Sequence, residues 1–139
     1  MVKGTRGGGG YVEVGHARKV GLAVAWVKGA GDKYVEPTPE AVTTAAQKYC
    51  VQQGSELRGD LRFTITNVKG DEAYPICSVT YAVLPKKHPG TDRGQLVAFL
   101  RWAVGADGQR VIAGSSFAPL PPLLAEKVAT VIDKIDPKP

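Results

Sequence analysis

Ala73-Tyr74-Pro75-Ile76-Cys77-Ser78-Val79-Thr80-Tyr81-Ala82-Val83-Leu84 is the stretch whose reading decides the fold. It follows a Lys69-Gly70-Asp71-Glu72 turn and is closed by Pro85. Ile, Val, Thr and Tyr dominate it, so residues 74–84 read as one unusually long β-strand. Pro75 has no N–H to give to a ladder, which puts the start of the strand at a sheet edge or a bend.

Helical patterns lie on both sides. Downstream, Asp92 with Gln95 three residues later has the form of a capping box. Leu96, Phe99, Leu100 and Ala103 then share one helical face, with Trp102 on its flank. A shorter helix is expected from Asp107 through Val111 and Ile112, ended by Gly114. Pro121 and Pro122 open the last helix, whose inner stripe is Leu124, Val128, Val131, Ile132 and Ile135. Asp136-Pro137-Lys138-Pro139 cannot continue it.

Upstream, Thr38-Pro39-Glu40 is a helix start: Thr38 to cap, Pro39 for the first helical position, Glu40 for the positive dipole end. Val42, Ala45, Ala46 and Tyr49 form a small-sided face on that helix, which runs to about Val51. Tyr11–Val14 and Leu22–Val27 read as strands, with one helical turn from His16 to Val20 between them. Gly29 and Gly31 end the second strand. Residues 52–68 give no single pattern, an edge strand at Leu61–Thr66 being one reading of them, and residues 1–10 read as a flexible Gly-rich lead-in. No internal repeat is visible.

Composition bounds the function. The chain has 139 residues, is 43% hydrophobic and carries a net charge of +5, enough material for one ordinary domain. The 18 Lys and Arg are scattered with no run of five, which suits a solvated mixed surface better than a nucleic-acid face. Tyr11, Tyr74, Tyr81 and Trp102 sit in apolar runs, not among interleaved cations, as a stacking platform would require. No apolar stretch reaches the length of a membrane span. The opening Met1-Val2-Lys3-Gly4-Thr5-Arg6 does not have the form of a secretory signal.

Candidate chemistry is sparse. Gly7–Gly10 lacks the Gly-Lys-Ser/Thr of a Walker loop, and it precedes a strand where a dinucleotide fingerprint would follow one. Gly114-Ser115-Ser116 offers two hydroxyls near backbone N–H groups, so Ser115 and Ser116 are the candidates for holding an anion. A nucleophile elbow needs a second Gly that is absent here. His16 and His88 are the available bases, each in a polar loop-like context, so no catalytic residue is assigned and the chain reads as a non-enzyme. Asp32, Glu36, Glu40, Asp60, Asp71 and Glu72 show no spacing that fixes a metal or an acid–base pair. Cys50 and Cys77 have neither CxxC spacing nor a nearby His pair, so no metal site and no cofactor is expected; a single disulfide and two unpaired thiols both remain open.

Five segments in order carry a resemblance. Gly10-Tyr11-Val12-Glu13, Pro37-Thr38-Pro39-Glu40 to Ala46, Gly70-Asp71-Glu72-Ala73-Tyr74-Pro75-Ile76, Leu96 to Ala103, and Phe117-Ala118-Pro119-Leu120-Pro121 are together similar to the C-terminal portion of the periplasmic phosphate-binding proteins of ABC importers. The resemblance implies an α/β fold of the periplasmic-binding-protein type II kind, present in part. Residues 11–73 would be the end of the second lobe, 74–85 the crossing strand and 86–135 the end of the first lobe, with 1–10 a lead-in and 136–139 a tail. It implies a solute-binding role in phosphate transport, with inorganic phosphate and an ABC permease as partners of the intact family and a periplasmic or extracytoplasmic location. The family's phosphate ligands precede the matched region, so none is carried over. The uncovered sheet edges then call for the missing N-terminal half or a second copy. Two rival readings are a stand-alone protein-interaction module derived from the same fold and a small hydrolase using Ser115 or Ser116.

Overall fold

The structure is a computed structural model, and it describes residues 2–53, 61–84 and 93–135. Five helices and one small sheet make up the regular structure of those residues. They are α1 (Val14–Lys19), β1 (Val27–Lys28), β2 (Tyr34–Val35), α2 (Pro39–Gln53), α3 (Arg93–Val104), α4 (Ala106–Ala113) and α5 (Pro122–Ile135), after a 3-10 turn at Val2–Gly4.

The helix α2 starts where the sequence predicts. Thr38 Oγ1 accepts the Ala41 N–H at 3.2 Å, satisfying one of the donors a helix start leaves open. Its buried side chains are Ala41, Ala45, Ala46 and Cys50. All are small, so neighbouring segments approach closely. Val42 and Tyr49 are partly buried beside them, against the cluster of Ala46, Ile65 and Val68. Tyr49 stacks on Phe63 with ring centroids 5.0 Å apart. A second cluster, Cys50 and Leu124, has Phe63, Leu61, Leu120 and Val128 around it. Phe63 therefore belongs to both and joins α2 to α5.

The helices α3, α4 and α5 pack together. Only Gly105 separates α3 from α4, so α4 folds back onto the end of α3. Gly108 lies at that contact: a Cβ there would come within 2.4 Å of the Trp102 carbonyl oxygen. Arg101 of α3 donates to Asp133 of α5 from both Nε and an Nη, at 3.2 and 3.0 Å. The buried residue of α3 is Val97, one turn before Arg101. The predicted face is thus rotated: Phe99, expected inside, is 59% exposed. Packing of α3 against α4 and α5 buries Val97 and half-buries Leu96, Leu100 and Ala103, and it leaves Phe99 and Trp102 paired on the outside at 5.9 Å; the exposed Arg101–Asp133 pair adds little to that choice. On α5, Leu124 and Ile132 are buried as the stripe predicts. The expected capping residue Asp92 lies outside the described residues, as do the tail 136–139 and Pro85.

The predicted strands are where the structure departs from the sequence reading. Tyr11–Val14 is not a strand. Tyr11 is fully exposed, and the Glu13 carboxylate caps α1 by accepting Gly15 N–H at 2.7 Å and His16 N–H at 3.0 Å. A carboxylate flanked by two valines mimics strand alternation while serving as an N-cap. Of Leu22–Val27 only Val27 enters a ladder: β1 and β2 pair antiparallel, Val27 opposite Val35 and Lys28 opposite Tyr34. Residues 61–66 and 74–84 form no ladder either. The long strand expected at 74–84 is instead an irregular run lying antiparallel to 61–67. Asn67 N–H donates to Pro75 O at 2.8 Å, Thr66 Oγ1 to Cys77 O at 3.2 Å, and Tyr81 Oη to Phe63 O at 2.8 Å. Side chains replace most of the rungs, and Pro75 cannot return an N–H. The described residues are thus mainly helical with a two-stranded sheet, a correction to the expectation of a sheet-centred α/β unit.

Leu124 is 2% exposed in the cluster that links α2 to α5. Leu124→Ala is expected to cost about 2–5 kcal/mol, the range for emptying a buried leucine site. Urea unfolding followed by far-ultraviolet circular dichroism measures it; an unchanged midpoint would show that this cluster does not hold the two helices.

Candidate functional site

Ser115 and Ser116, the sequence's candidates, lie just past the end of α4. Ser115 N–H donates to Ile112 O at 2.9 Å, and Ser115 Oγ donates to the same carbonyl at 2.7 Å. Ser115 Oγ also accepts Phe117 N–H at 3.1 Å. These contacts close the helix end, where carbonyls are otherwise orphaned. Ser116 lies against Gly15 at the start of α1. A Cβ on Gly15 would fall 2.6 Å from Ser116 Cβ, so a larger residue there forces the Ser116 side chain to move. The open donors there, Gly15 N–H and His16 N–H, are taken by the Glu13 carboxylate. No hydrogen bond joins either serine to His16 among the described residues, and His88 lies outside them.

The structure brings together a different group of residues. The loop after β1 and the turn before residue 73 face each other across an open cleft of about 480 Å³, lined by Asp32, Lys33, Lys48, Lys69, Asp71 and Glu72 together with Ala30, Gly31 and Gly70. Asp71 closes its floor by accepting Asp32 N–H at 2.7 Å. Lys28 lies 3.9 Å from the Asp32 carboxylate. Among the described residues the Lys33, Lys48 and Lys69 ammonium groups have no ion-pair or hydrogen-bond partner. Three cations and three carboxylates at this rim favour a polar, solvated surface, with no nucleophile and no strongly desolvated base. Sequence reasoning missed the cleft because its halves are some forty positions apart. The Gly29–Gly31 and Lys69–Glu72 turns were visible, but their meeting was not. Among the described residues no group of three His, Cys, Asp or Glu side chains is placed to hold a metal ion.

The two cysteines are free thiols. Burial pushes the Cys77 thiol up to about 11. Its Sγ lies 3.1 Å from Tyr74 O and 3.5 Å from Ile65 O, acceptors suited to a protonated sulfur. Burial also raises Cys50, partly offset by a backbone hydrogen bond. Burial, and then the neighbouring Cys77, raise the Tyr74 phenol. Protonated thiols are poor nucleophiles and poor metal ligands.

No helix among the described residues is long and apolar enough to cross a membrane. The profile of the PBP superfamily domain matches residues 1–107, well over half of the chain, and the chain belongs to that superfamily. The Phosphate-binding protein PstS of Xylella fastidiosa (strain Temecula1 / ATCC 700964) is 27% identical over 128 residues, covering 91% of this chain and 34% of that protein. The protein of the same name from Xylella fastidiosa strain 9a5c is 26% identical over the same length and shares of the two chains. The chain therefore spans about a third of the length of the curated relatives it matches. No solved structure matches it.

Gly15→Ala is expected to destabilise the fold by about 1–3 kcal/mol through overpacking against Ser116. Ser116→Gly in the same chain should restore most of the loss; thermal melts of the single and double variants show whether it does. The thiols give a pH prediction. A thiol whose folded pKa is raised binds its proton longer folded than unfolded. Stability is then complete below the unfolded thiol pKa near 9 and falls as pH rises toward about 11. Cys77→Ser should flatten that alkaline decline in urea midpoints measured across this window.

Proposed function

We propose that this chain is the C-terminal portion of the phosphate-binding component of an ABC phosphate transport system, without the residues that grip the anion. The observation that carries the reading is the match running over 91% of the chain yet only 34% of a phosphate-binding protein. The order of the five motif segments supports assigning the matched third to the C-terminal end. In this reading the fold is a partial periplasmic-binding-protein type II unit. Residues 11–73 come from the second lobe, 74–85 form the return crossing and 86–135 close the first lobe, with 1–10 a lead-in and 136–139 a tail.

The chain is then a non-enzymatic scaffold. Phosphate selectivity comes from donors in the remaining two thirds of the receptor. Its partners are that segment, inorganic phosphate and the ABC permease, and its place of action is periplasmic or extracytoplasmic. Ser115 and Ser116 receive no ligand role here: Ser115 caps α4 and Ser116 packs on Gly15. The hydrolase reading is less well supported, because among the described residues neither hydroxyl has a hydrogen bond to His16.

One observation favours a second reading, the interaction module. Phe99 and Trp102 expose paired aromatic surface on the outer side of α3, and Trp26 and Tyr34 are exposed near the small sheet. Under that reading the scaffold persists for its protein contacts and phosphate is irrelevant.

Isothermal titration of the isolated chain with inorganic phosphate tests the leading reading. The expected outcome is no tight site, with phosphate and sulfate giving indistinguishable heats. Micromolar phosphate affinity in this chain alone would contradict the absence of ligands.

A further inference from the structure

The parts of the chain assigned above to two lobes are not kept apart in this structure. Three contacts cross from the upstream part to the downstream part, and all three centre on residues 116–124. Ser116 packs on Gly15 at the start of α1, so closely that a Cβ there would clash. Pro119 O accepts from Thr43 Oγ1, in the middle of α2, at 2.9 Å. Leu124 is buried against Cys50 of α2, and Leu61, Phe63, Leu120 and Val128 pack on that pair.

The third contact has the character of a core. Cys50 is 1% exposed and Leu124 2%, and Pro121 is among the most deeply buried side chains. Domains that move against each other usually meet across more polar surfaces. Separating these parts would instead put Cys50 and Leu124 into water and break the Thr43 hydrogen bond. The same segment is fastened on its other side. Gln109 of α4 accepts Leu120 N–H at 2.7 Å and donates to Ala103 O, at the end of α3, at 2.8 Å. The proposed crossing run stays with the upstream part, where Pro75 O accepts Asn67 N–H and Tyr81 Oη donates to Phe63 O.

We propose that residues 116–124 are a clasp that locks the two parts into one cooperative unit, so that they neither open nor unfold separately. The inference rests on the lobe assignment proposed above, and it removes from this chain any movement between those lobes. One short segment carries the lock because it presents a carbonyl to α2, an amide to α4 and a leucine to the core between α2 and α5.

Native-state hydrogen exchange of the full 139-residue chain under rising urea, read by mass spectrometry on peptides from α2, α3 and α5, tests the clasp. The slowest amides of the three helices are expected to share one opening with one dependence on urea. Thr43→Val keeps the branched shape and removes the donor, and it should speed exchange about tenfold in all three helices. Leu120→Ala, on the clasp itself, should act in the same direction and serves where the first variant does not fold. In the parent chain, α2 opening at lower urea than α3 and α5 would overturn the proposal. So would a clasp variant that speeds exchange in α2 alone or in none of the three helices. The phosphate titration reports separately: a tight phosphate site beside one shared opening would overturn the absence of ligands and leave the clasp standing.

Discussion

Two hydrogen bonds tie the corner at residues 117–121 to two separate helices of this chain, beside the apolar clusters that join α2 to α5. Thr43 Oγ1, from the middle of α2, donates to Pro119 O at 2.9 Å. Gln109 Oε1, from α4, accepts Leu120 N–H at 2.7 Å. The same Gln109 side chain donates from Nε2 to Ala103 O at 2.8 Å, so one amide fastens the end of α3, α4 and the corner. Proline-flanked backbone has few N–H groups of its own. The Pro119 carbonyl and the Leu120 amide are satisfied from α2 and α4, while the Pro121 carbonyl accepts from the first turn of α5. With the corner placed, Pro121 is buried and Leu124 is delivered to Cys50.

The division between helices and extended runs follows from how each satisfies its backbone. A helix closes its hydrogen bonds within itself, so α2 to α5 form from local sequence and then need only a face to pack. An extended run depends on a neighbour. Residues 61–67 and 75–81 find each other, but they meet through the hydroxyls of Thr66 and Tyr81 as much as through main chain. The structure is thus helical where it is self-sufficient and irregular where it depends on partners. That agrees with a chain covering a third of the proteins it resembles.

The chemistry of the molecule points the same way. Burial raises the Cys77 thiol to about 11, which suppresses its reactivity. The serines cap and pack, and the charged cleft mixes cations and carboxylates with no strongly buried base. Nothing in the described residues concentrates reactive groups as a catalytic centre does. The outer side of α3 exposes the paired rings of Phe99 and Trp102.

Local signals carried the helices. Thr38 with Pro39, the spacing of Leu124 and Ile132, and Gly114 after Ala113 each express a short-range cause, and each appears where its residues place it. The order of the five motif segments likewise made the family legible without coordinates. Three things were decided only by tertiary structure. Whether Val12, Leu22 and Ile76 to Leu84 join a ladder depends on a partner strand that no residue in the run encodes. Which side of α3 faces inward depends on its packing against α4 and α5, which buries Val97 and leaves Phe99 outside. The cleft beside Lys48 exists because two turns distant in sequence meet through Asp71 and the Asp32 amide. Helix propensity and capping act within a few residues and so can be read along the chain; pairing, rotation and convergence depend on long-range contacts and cannot.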